Sequence, residues 1–232
     1  MREASYADGV RLFSPISLFS LIDFLGVFVA AIGGALEAAR NESYEYDVVG
    51  VTGLALVSAL GGGVTRDLIL QHGPPLAFVD VRYLLTALVG AAVTLPLVWG
   101  RGNSEPSTAL QKLVLFVDAA SIGLFAVAGA TRAINAGLTQ LPALILGVVT
   151  AAGGGALRDV LSGRTPKIFV YGQPYAIAAI FAAVVFLVAD ALAVPRTVAT
   201  ALGGVTGFAV RILALEFGWH TNAVRKGRAA GR

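Results

Sequence analysis

The sequence predicts an all-α integral membrane protein in which seven transmembrane helices form two inverted three-helix repeats plus a seventh helix. Three observations lead there. Of 232 residues, 56% are hydrophobic and 13% charged, and the mean hydropathy is +0.78, too apolar for one soluble domain to bury. Apolar runs of about 20 residues, enough for a helix to cross roughly 30 Å of hydrocarbon, recur along the chain. A segment holding three such runs then occurs twice. The runs are continuous rather than alternating in polarity, which excludes a transmembrane β-barrel.

Residues 1–15 read as an N-terminal tail. The first span, at about 16–36, carries Asp23, and this carboxylate together with a later internal copy of the segment argues against a cleaved leader. The second, at about 48–71, has the stretch GGGVTRD near its centre, with Gly61, Gly62, Gly63, Arg66 and Asp67. The third, at about 80–99, completes repeat 1 (16–99). GRGNSEPSTALQK, at 100–112, is polar and rich in Gly, Pro and Ser, and reads as a surface linker. Repeat 2 (113–194) has spans at about 113–134, 141–163 and 171–194. Its first span holds Asp118 and its second the stretch GGGALRD, with Gly153, Gly154, Gly155, Arg158 and Asp159. The seventh span, at about 197–217 within 195–218, has no repeat partner, and 219–232 form a basic C-terminal tail.

One constant offset relates LIDFLGVFVAAIGGALEAA to FVDAASIGLFAVAGATRAI, matching Asp23 to Asp118. After a three-residue slip, a second offset matches the glycine triplets, Arg66-Asp67 to Arg158-Asp159, Pro74 to Pro166 and Tyr83 to Tyr175. Three spans per repeat send the second copy into the membrane from the opposite side, and proteins of that design place their solute site near the bilayer midplane. Arg2, Arg11, Arg82, Arg132 and Arg196 fall on one side; Arg40, Arg101, Lys112, Arg164, Lys167, Arg225, Lys226, Arg228 and Arg232 fall on the other. The denser set marks the cytoplasm, so the N-terminus lies outside and the C-terminus inside.

Both triplets fall at mid-depth, where each interior glycine costs about 1 kcal/mol of helix stability relative to alanine. Non-helical backbone at that depth needs protein or a wet cavity around it. Two central breaks suggest a shared polar cavity, in which the carbonyls of Gly61, Gly62, Gly153 and Gly154 would face a monovalent cation. The competing reading is close helix packing through small residues. Buried Arg66, Asp67, Arg158 and Asp159 call for a partner or a wet cavity. Adjacent helical residues diverge by about 100°, so the depth match pairs Asp23 with Arg66 and Asp118 with Arg158, either as structural ties or as pore lining. Arg211, Asp190 and Glu216 read as residues that snorkel or cap at span ends, Arg132 as an interfacial anchor, and His72 and His220 as interfacial. Small residues, Gly26, Ala30 and Gly33 in the first span and Gly123, Ala126 and Ala130 in the fourth, sit at spacings of three, four or seven that suit packing of helix on helix, within a protomer or between protomers.

Cysteine is absent, and no Walker loop, histidine-rich metal cluster, Ser-His-Asp set or pair of catalytic carboxylates appears, so the sequence does not read as an enzyme. The net charge of +3 comes from the tail, which suits topology and anionic lipid headgroups rather than nucleic acid. No cofactor is expected; potassium or sodium ions are the expected permeants, and membrane lipid the expected bound molecule.

Over nearly all seven spans, on the strength of GGGVTRD, GGGALRD, the duplicated three-helix unit and the unpaired last span, the chain resembles the prokaryotic TRIC family of trimeric intracellular cation channels. That resemblance implies a homotrimer in the prokaryotic inner membrane, each protomer carrying its own pore for monovalent cations, chiefly potassium, lined by its second and fifth spans. It makes Gly61, Gly62, Gly63, Gly153, Gly154 and Gly155 the pore-lining glycines, and Arg66, Asp67, Arg158 and Asp159 the polar residues of the motif. The same sequence family includes proteins described as small-solute, notably glycine, transporters, an activity these motifs do not separate from a channel. The animal members' part in calcium stores does not carry over to so compact a chain.

Overall fold

The structure, a computed structural model, describes residues 18–39, 41, 44–99, 108–170, 172 and 174–221, and within them it is all-helical. The expected N-terminal tail, residues 100–107 of the linker and the basic tail beyond Thr221 lie outside the described residues. So do Arg2, Arg11, Arg40, Arg101, Arg225, Lys226, Arg228 and Arg232.

The helices are α1 (Leu18–Ala39), α2 (Val48–Leu70), the four-residue α3 (Leu76–Val79), α4 (Val81–Trp99), α5 (Thr108–Asn135), α6 (Gln140–Leu161), α7 (Tyr175–Ala191) and α8 (Arg196–Glu216). A 3-10 turn at Lys167–Phe169 follows α6, as α3 follows α2. Among the described residues, α2, Leu115–Asn135 of α5, α6 and α8 are long and apolar enough to cross a membrane, and Val81–Pro96 and Tyr175–Ala191 are shorter apolar helices. Each of the seven long helices overlaps an apolar run of the sequence, while α3 and the 3-10 turn fall between runs.

The largest shift in a boundary is at α5, which takes in Thr108 to Lys112 from the expected linker. Nothing after Pro106 breaks a helix there, and Ala109, Leu110, Gln111 and Lys112 are good helix formers. At 28 residues α5 is about 42 Å long, so its first turns extend beyond the hydrocarbon. Asp47 caps α2 by accepting from the Gly50 amide at 2.7 Å.

Helix α1 packs on α2, α4 and α5, and α5 on α6, α7 and α8; α2 crosses α6, and α8 lies along α7. The core is built largely of alanine, with Ala31, Ala87, Ala126, Ala130, Ala178 and Ala182 fully or almost fully buried around Ile122, Val127 and Phe186. Such small side chains bring helix axes close. Large apolar side chains instead face outward, among them Leu85 and Val89 of α4, Leu141 and Ile145 of α6 and Val205 of α8, as a lipid-facing surface requires.

The small residues of α1 and α5 pack helix on helix, as their spacing suggests. The stripes on α1 and α5 are used inside the protomer: Gly26 abuts Phe125, Gly33 faces Val117, and a Cβ at Gly123 would overlap the Gly204 carbonyl of α8. Ala126 and Ala130 receive Gly147 of α6.

Candidate functional site

The glycine triplets sit where α2 crosses α6, and neither helix is broken there. Helix α2 is continuous from Val48 to Leu70, and α6 from Gln140 to Leu161. Their carbonyls are committed to the i to i+4 ladder, and that of Gly61 also accepts from Thr65 Oγ1 at 2.8 Å. The expected coordination of a cation by the Gly61, Gly62, Gly153 and Gly154 carbonyls at a helix break is thus overturned, because these glycines serve close approach. A Cβ at Gly62 would overlap the Thr150 carbonyl oxygen, and one at Gly154 would overlap the Ser58 carbonyl oxygen. Ser58 and Thr150 occupy equivalent positions of the two repeats, so each middle glycine receives the other's counterpart. The same pair receives Gly34 and Gly129: a Cβ at Gly34 would come within 2.5 Å of Ser58 Cβ, and one at Gly129 within 2.7 Å of Thr150 Cβ. The third glycines differ. At Gly63 and Gly155 a Cβ would meet only the guanidinium of its own repeat, Arg66 at 3.7 Å or Arg158 at 3.8 Å, apart from the Tyr175 hydroxyl at 4.0 Å from the latter.

The charged motifs are wired differently from the depth match. Arg66 Nη2 lies 2.8 Å from Asp67 Oδ1, and Arg158 Nη2 lies 2.7 Å from Asp159 Oδ1. The divergence of neighbouring residues is overcome by the length of the arginine, which folds back over its own helix. The second carboxylate oxygen of each aspartate reaches forward. Asp67 Oδ2 accepts from the Leu76 amide at 3.0 Å, the first residue of α3, and Asp159 Oδ2 from the Lys167 amide at 3.2 Å, the first of the 3-10 turn. Each aspartate therefore neutralises a buried arginine and caps the short element that returns the chain to the membrane.

The remaining partners were not legible as such. Asp23 accepts from the Tyr83 hydroxyl at 2.5 Å. Asp118 faces Arg211 of α8 across 3.4 Å, and that guanidinium lies 5.3 Å from the Tyr175 ring centre. The expected pairs Asp23 with Arg66 and Asp118 with Arg158 are corrected accordingly. Arg211 does not snorkel: it is 6% exposed, and its Nε and Nη1 have no hydrogen-bond partner among the described residues. Asp190, by contrast, sits at a helix end and pairs with Arg196 at 2.8 Å.

Polar space surrounds this crossing. A chamber of about 530 Å3 opens where the C-terminal ends of α1, α6 and α8 meet the N-terminal half of α5, and its wall includes Ser58, Asp118, Gly155, Arg158, Tyr175 and Arg211. Arg164 and Lys167, at its rim, share Glu37 at 3.3 and 2.8 Å. A recess of about 20 Å3 adjoins it around Asp159 and Ile168. The corresponding residues of the first repeat, Asp23, Gly63, Arg66, Asp67 and Tyr83, with Thr150, line only a separate recess of about 20 Å3. Beyond it a vestibule of about 360 Å3 is lined by His72, Arg132 and Asn135. Phe125 is the one residue shared by the large chamber and the separate recess, and Asp67 the one shared by that recess and the vestibule.

Fold and site thus define a helical membrane protein with polar chambers on either side of a central helix crossing. The chain belongs to the family described as glycine transporters, whose profile matches residues 20–99 and 115–191, the two repeats without linker or last helix. It is similar to the UPF0126 inner membrane protein YadS of Escherichia coli (strain K12), with 34% identity over 200 residues, 86% of this chain and 91% of that one. A solved TRIC cation channel superposes with a TM-score of 0.78 at 30% identity, over 92% of this chain and all of the other. The TRIC trimeric intracellular cation channel orthologue from Rhodobacter sphaeroides does so at 0.77 and 34% identity, over 87% and 99%. The likeness to the TRIC family carried by the doubled motif extends to the whole fold.

Proposed function

We propose that this protein is a monovalent cation channel, chiefly for potassium, of the prokaryotic inner membrane. Seven spans, α1, α2, α4, α5, α6, α7 and α8, form two inverted three-helix repeats and an added last helix, with the N-terminus outside and the C-terminus in the cytoplasm. Three protomers assemble, each with its own pore beside the α2–α6 crossing. The ion path runs past Gly155, Arg158, Asp159 and Asp118 on the cytoplasmic side, then past Gly63, Arg66, Asp67 and Asp23 on the outer side. The middle glycines set how closely α2 and α6 approach.

The observation that supports this best is the succession of chamber, recess and vestibule, the first two sharing Phe125 and the last two Asp67, in a chain that superposes over 92% of its length on a TRIC cation channel. In the chamber every arginine and lysine has a carboxylate partner: Asp159 for Arg158, Glu37 for Arg164 and Lys167, and Asp118 for Arg211. Three carboxylates thus stand against four cationic side chains, since Glu37 serves two of them, so the pairing weakens the positive field that a passing cation meets without cancelling it.

A second reading, a transporter of glycine or a similar small solute, is favoured by the family's description and by the unequal size of the spaces around the two motifs. Alternating access requires such one-sided opening, whereas a channel requires only that a barrier yield. Reconstitution of the pure protein decides between them. Unitary potassium currents without uptake of labelled glycine support the channel, and saturable glycine uptake without unitary currents rejects it.

A further inference from the structure

We infer that Phe125 is the barrier to permeation, an aromatic gate that separates the chamber on one face from the recess leading to the other. The inference rests on the channel reading for its conduction readout and on geometry alone for its accessibility readout.

Phe125 lies on α5 in the middle of the bundle, 8% exposed. It is the only described residue that borders both the 530 Å3 chamber and the 20 Å3 recess. Its ring edge presses on α1 where that helix has Gly26, 3.2 Å from the position a Cβ would take. An alanine at 26 would require the ring to yield by a few tenths of an ångström. The two hydroxyl residues of the crossing fall on opposite sides of the ring: Ser58 lines the chamber and Thr150 the recess.

The repeat gives an internal comparison. The position equivalent to Phe125 in the first repeat is Ala30, which lines the chamber and adds no bulk to it. Two copies of one device thus differ at this point by an aromatic ring, and the space around the first-repeat motif is the one that is shut. An apolar ring between the chamber and a small recess lined largely by apolar residues, among them Val27, Ala59, Leu60 and Val64, excludes water and with it a hydrated ion, the form of gate that works by dewetting. The chamber beside it has room for the ring to swing into, so opening requires a rotamer change of one side chain rather than a movement of helices.

The test uses the full-length protein in proteoliposomes, and the absence of native cysteine makes introduced thiols specific. A charged methanethiosulfonate reagent, applied to the face onto which the chamber opens, should modify Ser58→Cys readily and Thr150→Cys at least tenfold more slowly. Combining Thr150→Cys with Phe125→Ala should remove most of that difference. Potassium flux should rise at least threefold in Phe125→Ala and by a smaller factor in Phe125→Leu, at equal insertion and unchanged assembly. Should Phe125→Ala not assemble, Phe125→Leu gives the same comparison with a smaller rise. Equal modification of Ser58→Cys and Thr150→Cys in the presence of Phe125, or protection of Thr150→Cys that survives removal of the ring, overturns the gate. If modification follows the ring but neither native protein nor variants pass potassium, the gate stands and the channel reading fails. If the native protein conducts and the variants conduct no better, the channel reading stands and the gate fails.

Discussion

Gly62 and Gly63 are neighbours of the same type with opposite demands on space. At Gly62 a methyl group would run into the Thr150 carbonyl, which cannot move without α6, whereas at Gly63 it would touch only the flexible end of Arg66. Gly62→Ala is therefore expected to lower stability by about 1–3 kcal/mol, the usual cost of overpacking, while Gly63→Ala leaves it unchanged or raised through helix propensity. Gly154→Ala and Gly155→Ala should repeat the pattern. Thermal unfolding in detergent checks this, and equal sensitivity at the two positions would contradict the assigned packing. The charges are tested in the same way. Asp159→Asn leaves Arg158, only 9% exposed, without its anion, at a cost of about 3–5 kcal/mol, and Arg158→Gln together with Asp159→Asn should be milder. A double-mutant cycle should find strong coupling for Arg158 with Asp159 and weak coupling for Arg158 with Asp118; the reverse ranking would restore the pairing by depth. The composition of the motif was legible because Gly, Arg and Asp are costly at membrane depth. Its wiring was not, because helical spacing gives the direction in which a side chain leaves the backbone and not how far a long arginine folds back.

At the scale of elements, the spans follow directly from apolar run length, since the bilayer fixes how many residues a helix needs. Helix continuity did not follow. Three adjacent glycines look like a break when the helix is considered alone, and only the partner helix, which fills the space left by the missing side chains, makes an intact helix the better solution. The short elements after α2 and α6 were equally hidden, since the first backbone amide of each donates to an aspartate eight or nine residues earlier in the chain. The last helix is the clearest case. It stands outside the repeat, so no internal comparison pointed to Arg211, yet it delivers that guanidinium to Asp118 and over Tyr175. In the first repeat the corresponding aspartate, Asp23, accepts from the Tyr83 hydroxyl. If α8 supplies the counter-charge of the chamber, Arg211→Gln should free Asp118 to attract cations and raise potassium conductance severalfold at low salt, less at high salt where screening is strong. Unitary conductance against potassium concentration measures this, and a conductance independent of the substitution at low salt would show that Arg211 acts only in packing.

At the scale of the molecule, the pseudo-symmetry legible as two sequence offsets reappears as reciprocal contacts, Gly62 on Thr150 and Gly154 on Ser58, around a single crossing. The walls of the chamber and the recess beside that crossing all come from one protomer, so the proposed path needs no second chain. Assembly is then a matter of the outer surface. Gly26 and Gly33 of α1 and Gly123, Ala126 and Ala130 of α5 already pack within the protomer, so the proposed trimer would draw on the exposed apolar faces of the helices, which the sequence marks as hydrophobic without distinguishing lipid from protein. The expected trimer thus carries three independent paths and none on its axis. Mixed assemblies test that arrangement. When native protein is coexpressed with Phe125→Ala and the two are counted by tag, each Phe125→Ala protomer should add its own unit of potassium flux, giving a linear dependence on its fraction. A path shared along the trimer axis would instead give a steep, cooperative dependence, since one remaining phenylalanine would obstruct the common route. A linear response with a mass corresponding to three chains supports one pore in each protomer, and a cooperative response or a stable monomer of full activity refutes the arrangement.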